Sequence, residues 1–331
     1  MGIFADTRSY FAETWQAWNR FWFTPNDPAT LSLIRLLAGS LLFYTHLVWS
    51  LDLQAFLGPE GWLPVEYLRA IHTMPGEAAA QWSVWSVFFW IKAPWLLWCV
   101  HISALLVFFC LMIGLFSRVV APLAFLFAVS YAHRISPGAF FGLDKANCML
   151  AMYLLLGPCG ARYSLDSLWR RRRGNTEPVR PSTTANLAIR LIQTHLCIIY
   201  LFSAIAKLAG ENWQAGTAVW WAFANYEYQT IDMTWLANWT TFGPILIALA
   251  THATIFWELS YCCLIWNRYT RPLILAMAIG THIGIGLMMG LITFALAMIY
   301  ANLSFIQPAT VRRWIDPLAG WVAARLGGGN G

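Results

Sequence analysis

Residues 186–216, NLAIRLIQTHLCIIYLFSAIAKLAGENWQAG, decide how this chain is read. The stretch is long enough to cross a bilayer, yet it carries Arg190, Gln193, His195, Tyr200 and Lys207. At 3.6 residues per turn, Gln193, Tyr200 and Lys207 recur on one face, and Cys197, Ser203 and Ala204 fill the space between them. One side is therefore polar or small, and the others are Leu, Ile and Phe. A charge in hydrocarbon is expensive and faces a bundle interior or a wet cavity. The face bearing Lys207 is thus expected to wall a buried site that the remaining helices enclose.

Composition agrees with that setting. Of 331 residues, 59% are hydrophobic and 11% charged, against roughly 25% charged in soluble domains. The chain reads as an integral membrane protein whose first partner is the lipid bilayer. Its formal charge of +6 is no nucleic-acid signature, because the arginines sit in particular loops. The seven cysteines contain no Cys-x-x-Cys pair, so a thiol-relay quinone reductase and a structural zinc site get no support, and they read as small buried hydrophobes. The seven histidines show no His-Glu-x-x-His spacing, so no metal is expected. The N-terminus has acidic residues and no apolar core before a cleavage site, unlike a signal peptide.

The expected fold is an all-α integral membrane protein, a polytopic bundle of about eight transmembrane helices with two Trp-rich outer loops containing short helices. Residues 1–27 form an amphipathic interfacial segment, residues 28–306 the transmembrane domain, and residues 307–331 a short cytoplasmic tail ending in a flexible GGGNG. Spans are expected at 30–51, 94–115, 119–133, 148–156, in the opening stretch, and at 244–266, 272–289 and 291–306. The first outer loop, 52–93, holds Trp62, Trp82, Trp85 and Trp90; the second, 210–242, holds Trp213, Trp220, Trp221, Trp235 and Trp239. Residues 157–185 read as a loop carrying Arg162, the run Arg170 to Arg173, and Arg180. Arginines concentrate in alternate connections, which places both termini in the cytoplasm and makes the span count even. The run at 170–173 is a topology determinant facing anionic lipid. An Arg- and Ala-rich chain of this kind suits a bacterial inner (plasma) membrane.

Three residues stand out for chemistry. Lys207 is either a lysine snorkelling from a helix end or a desolvated amine able to act as a general base. Glu258 sits mid-span in ATIFWELSYCCLIW. A carboxylate there is protonated, functional, or paired with an arginine such as Arg35 or Arg190. His282, in GTHIGIGLMMGLITF, is flanked by small residues and reads as a satisfied core histidine or a site residue.

YSLDSLWR at 163–170, IIYLFSAIAKLAGENWQAG at 198–216, Glu258 and HIGIGLMMGLITFALAMIYANLSF at 282–305 together resemble the HTTM family. That is the horizontally transferred transmembrane domain shared with vitamin K-dependent gamma-carboxylase, and the resemblance runs from about residue 28 to 306. It implies an enzyme handling a reduced quinone of the menaquinone or vitamin K type. Lys207 would be the base that deprotonates the hydroquinone, His282 would line the same site, and Glu258 matches a recurring acidic position. Cofactor-binding positions implied by the resemblance are Tyr200, Ser203, Gln193, Trp213, Lys145 and Asn147. This chain departs from the carboxylase at Ala206, where that enzyme has a second lysine. Lys145 and Asn147 stand where it supplies a histidine from its fourth helix, and no counterpart of the large lumenal domain that holds its protein substrate is expected.

Three functions follow. The first is a vitamin K-dependent gamma-carboxylase-like membrane enzyme with Lys207 as general base. The second is a non-catalytic membrane partner or maturation factor for an exported peptide, a role that some bacterial members of the resembled family suggest. The third is a transporter or lipid-handling protein, which would favour broken helices in matching halves. No internal repeat supplies Lys207 or Glu258 with a counterpart in the first four spans.

Overall fold

The structure is a computed structural model that describes residues 2–72, 84–135, 142–175, 177–239 and 241–327. Trp82, residues 136–141 of the return segment and the last four residues of the tail lie outside the described residues. Among the described residues the chain is helical, apart from an isolated antiparallel bridge between Asn26 and Ser182. The helices are α1 (Gly2–Phe23), α2 (Ala29–Trp49), α3 (Leu53–Leu57), α4 (Val65–His72), α5 (Pro94–Ile113) and α6 (Ser117–Arg134). They continue as α7 (Gly142–Leu154), α8 (Leu165–Arg172), α9 (Thr183–Leu208), α10 (Glu211–Gln214), α11 (Ala218–Phe223) and α12 (Thr234–Asn238). The last four are α13 (Phe242–Leu264), α14 (Arg271–Met288), α15 (Ile292–Asn302) and α16 (Pro308–Gly327). Two compact units result, one of residues 1–191 and 306–331, the other of Ile192–Phe305.

Five stretches are long and apolar enough to cross a membrane: Ala29–Leu57, Pro94–Ile113, Thr183–Leu208, Phe242–Leu264 and Arg271–Met288. A sixth candidate, Ile292–Phe305 with Pro308–Val322, is bent by 116°. The protein is thus a helical membrane protein with five to six candidate spans. The two further spans expected from sequence fall short for physical reasons. Arg118, His133 and Arg134 lie inside the 18 residues of α6, and α7 has only 13 residues, about 20 Å at 1.5 Å per residue against a hydrocarbon core of about 30 Å. Three other expectations change. The arginine-rich connection contains a capped helix, α8, and the tail is a 20-residue helix, α16. All seven cysteines are free, but Cys99 and Cys263 are exposed while Cys159 and Cys197 are buried. Burial pushes the Cys159 thiol up to about 11, as suits an inert side chain.

In the first unit α2 is the central helix, and it packs against α5, α7 and α16. Its contact with α5 is made close by Gly39, where an added Cβ would lie 2.7 Å from the Met112 backbone nitrogen and 2.8 Å from its Cα. Replacing Gly39 with alanine should cost about 1–3 kcal/mol by forcing backbones apart. Gly280, whose Cβ would meet nothing within 4 Å, is the control. Equal melting temperatures for Gly39→Ala and Gly280→Ala in detergent would refute the close-approach account.

The same crossing is tied by Arg35, which is fully buried. Its Nη1 donates to the carbonyls of Leu111 and Met112, both at 2.7 Å, and Nη2 donates to Tyr163 O at 2.5 Å. The guanidinium therefore caps the C-terminus of α5 and holds the turn before α8. Gly114, the left-handed cap of α5 at φ 69°, has no room for a side chain, since its Cβ would lie 2.6 Å from Arg35 Nη1. Arg190 stacks on Phe21 with its guanidinium carbon 4.4 Å from the ring centroid, and it donates to Phe21 O.

The second unit assembles α13, α14 and α15, with the short helices α10, α11 and α12 packed on α13. The turn between α14 and α15 uses Gly290 at φ 69°. The part of α9 from Ile192 onward belongs to this unit and carries Lys207 in its last turn.

Candidate functional site

Lys207 is fixed by its own helix and by α13. One turn earlier on α9, Ser203 Oγ accepts from Lys207 Nζ at 2.5 Å. From α13, both carboxylate oxygens of Glu258 accept from the same nitrogen, Oε1 at 3.0 Å and Oε2 at 2.7 Å. An ammonium has three N–H donors, and these three oxygens use them all. The side chains of Lys207 and Glu258 are 17% and 8% exposed, so the pair is largely withdrawn from its surroundings. The Trp213 ring lies over the ammonium with its centroid 5.1 Å away, adding a cation–π contact. Trp213 also lines a hollow of about 460 Å³ between α10 and α11, beside Asn212, Ala218 and Trp221.

An aromatic layer occupies the Tyr200 level of the same helix. The buried Tyr200 ring lies 5.0 Å from Trp257, 4.3 Å from Tyr261 and 6.0 Å from His282 between centroids. Asn302 links two of these rings: its Nδ2 donates to Tyr200 Oη at 3.0 Å, and its Oδ1 accepts from Tyr261 OH at 2.8 Å. His282 Nδ1 donates to Ala278 O at 2.7 Å, which leaves Nε2 as an acceptor in the neutral ring. The Trp257 indole nitrogen is buried and has no acceptor among the described residues. Farther along α9, Gln193 Nε2 donates to Ser304 O at 2.7 Å.

Of the residues singled out from sequence, the second unit thus brings Lys207, Ser203, Glu258 and Trp213 into one contact group. It brings Tyr200 and His282 into an adjacent one, with Gln193 at the far end of the face. The arginine pairing considered for Glu258 gives way to Lys207, while Arg35 and Arg190 are committed to backbone carbonyls of the first unit. Lys145 and Asn147 lie on α7, in the first unit. Asn147 is buried, and its Oδ1 has no donor among the described residues.

Sequence reasoning missed a second polar cluster, inside the first unit. His101 is fully buried in the apolar helix α5. Its Nε2 lies 2.8 Å from Ser50 Oγ, and its Nδ1 lies 2.6 Å from Tyr131 Oη. The signal was present in WCVHISALL, where one histidine interrupts a long apolar run. The alternation of donors and acceptors along Ser50, His101 and Tyr131 joins the end of α2 to α5 and α6, and it satisfies every polar atom in the line.

No family model matches the chain, and no solved structure matches it. Over 198 residues, 57% of the chain, it is 24% identical to the sporulation-delaying protein SdpB of Bacillus subtilis (strain 168). The matched stretch covers 59% of that protein.

Proposed function

We propose that this chain is a bacterial inner-membrane partner or maturation factor for an exported peptide, with the Lys207–Glu258 pair as its polar centre. The observation that carries the reading is the state of Lys207. Its nitrogen is enclosed by Ser203 Oγ and both carboxylate oxygens of Glu258, an ion-pair geometry that suits a fixed polar centre better than a base open to substrate. A paired ammonium and carboxylate beside a Trp-lined hollow can engage the polar backbone or a terminus of a bound peptide. The partial likeness to a sporulation-delaying protein is compatible with a role outside quinone chemistry. In this reading both termini face the cytoplasm, and the HTTM resemblance describes the architecture of the bundle.

The test uses the organism that carries the gene. The chromosomal copy is deleted, and either the wild type or the double variant Lys207→Met with Glu258→Leu is returned. Peptides in the medium are then compared by mass spectrometry. A processed peptide should vanish on deletion, return with the wild type and stay absent with the double variant. An unchanged peptide profile on deletion would overturn the reading.

A second reading keeps a reduced quinone as ligand, and the unpartnered Trp257 N–H favours it, because a buried donor suits an incoming oxygen acceptor. The base role fits Lys207 poorly while it is paired, since the amine must first pass a proton to Glu258. Quinone epoxide formed by purified wild type from hydroquinone and oxygen, and lost in Lys207→Ala, would establish this enzymatic reading in place of the first.

A further inference from the structure

The first unit contains a large cleft that the Lys207 site does not use. It measures about 1660 Å³, beyond the roughly 300–1,000 Å³ of ordinary small-molecule pockets. One wall is the arginine-rich connection with α8, and another is α16. Five arginines line it, Arg162, Arg170, Arg171, Arg180 and Arg312, against the three carboxylates of Asp27, Glu177 and Asp316. The excess is two positive charges.

Internal pairing shows where that excess resides. Arg162 grips Asp27 with two hydrogen bonds of 2.8 and 2.7 Å. Arg312 lies 3.6 Å from Asp27 and 3.2 Å from Asp316, and Arg180 lies 3.4 Å from Glu177. Tyr163 donates to Asp316 at 2.8 Å; burial and that carboxylate push its phenol up, so it stays a donor. Arg170 reaches only the backbone carbonyls of Asp166 and Ala161, and Arg171 has no carboxylate partner among the described residues. The uncompensated charge is therefore that of Arg170 and Arg171, in the last turn of α8.

Those two guanidinium groups are presented by a fixed support. The N-terminus of α8 is closed by a reciprocal Ser164–Ser167 capping box. The Asp166 carboxylate, in the first turn, accepts from the backbone nitrogens of Phe116 and Ser117 at 2.8 Å each. The cleft also has an apolar floor. Leu36 and Ile113 line it, and Leu36 stands seven residues along α2 from Ala29, about 10 Å into the first span at 1.5 Å per residue. On α16, Leu318 and Val322 also line the cleft, while Trp314 and Trp321 of that helix are exposed, as befits a membrane-surface helix.

We infer that this cleft binds an anionic phospholipid, its phosphate on Arg170 and Arg171 and its acyl chain against Leu36, Ile113 and Leu318. Arginine is the side chain suited to phosphate oxygens, and basic pockets beside membrane helices take anionic headgroups. A free anion would use the arginines but not the floor. An acidic peptide would have no use for the apolar lining of Leu36, Ile113 and Leu318.

The test is native mass spectrometry of the full-length protein in mild detergent, with phosphatidylglycerol and phosphatidylcholine of identical acyl chains. Wild type should retain phosphatidylglycerol preferentially. Arg170→Gln with Arg171→Gln should reduce that preference roughly 30-fold, at about a factor of five per arginine. Arg268→Gln with Arg313→Gln, which removes equal charge outside the cleft, should leave it unchanged. Leu318→Asn should weaken retention of long-chain phosphatidylglycerol more than that of a short-chain analogue. Equal binding of the two lipids by wild type, or equal losses in the two double variants, would overturn the inference. So would displacement of the lipid by inorganic phosphate or by polyglutamate. All four arginine side chains are exposed, so folding is spared in both double variants.

Discussion

Replacing Glu258 with alanine is expected to destabilise the protein by about 3–5 kcal/mol, because it strands the Lys207 ammonium without its counter-charge. Ser203 alone would remain as an acceptor, and the Lys207 side chain is only 17% exposed. Removing both charges is a different experiment. Lys207→Met with Glu258→Leu replaces the pair by apolar groups of similar volume, and such exchanges are neutral or stabilising by about 1–4 kcal/mol. Glu258→Gln should fall between, since an amide oxygen still accepts one N–H but carries no charge. Unfolding of the purified variants in detergent by heat or denaturant reads the order directly. If Glu258→Ala melts with the wild type, the pair is not buried in the sense described. If the double variant melts as low as the single one, packing and not charge holds α9 to α13. The comparison also frees the peptide assay from an uninteresting explanation, since a stable double variant that is inactive has lost a function and not a fold.

Arg35→Leu should be comparably damaging, at about 3–5 kcal/mol. The part-buried carbonyls of Met112 and Tyr163 lose a donor, at about 1–3 kcal/mol each, and the shorter side chain leaves a void. Leu111 O is less affected, because it also accepts from the Gly114 nitrogen. Arg35→Lys should recover little, since one ammonium on a flexible stem does not reproduce a planar fork aimed at two turns. The damage should also be directional. Tyr163 sits at φ 51°, a conformation that a non-glycine residue keeps only when its surroundings impose it. Release of its carbonyl should loosen the connection leading into α8, so limited trypsin digestion should cut at the arginine run in Arg35→Leu well before it does so in the wild type. Equal digestion rates would detach that connection from Arg35.

Much of this was legible in the chain. The polar face of α9 was readable because helical periodicity is a local property, and the contact between Lys207 and Ser203, four residues apart, follows from it. The importance of Glu258 was readable too, since a carboxylate inside an apolar run is costly anywhere. Its partner was not. Lys207 and Glu258 are 51 residues apart, and one sequence says nothing about which distant helix faces which. An arginine was the natural guess, but Arg35 is spent on carbonyls that a residue-by-residue reading does not count as partners, because backbone acceptors leave no mark in the sequence. The span count suffered from the opposite weakness. Apolar stretches such as 148–156 look like membrane segments by composition, whereas the described part of α7 is 13 residues. The helix α16 escaped notice because Pro317 and Gly320 punctuate it and its charges suggest a tail. His101 is hard to read from sequence because its partners are distant: Ser50 follows α2 and Tyr131 lies on α6.

Arg35 also sets a timetable for the newborn chain. Its acceptors are made 76, 77 and 128 residues after it. At roughly 5–20 residues per second, the interval between arginine and last acceptor is about 6–25 s. Throughout that time the first span holds a guanidinium that hydrocarbon rejects by about 2.5–3.5 kcal/mol at mid-membrane. Six residues from the start of α2, the side chain can reach back to the headgroups and wait there. Seating the first span is therefore completed by the emergence of later ones, so a ribosome stalled before Met112 should leave that span shallow and extractable.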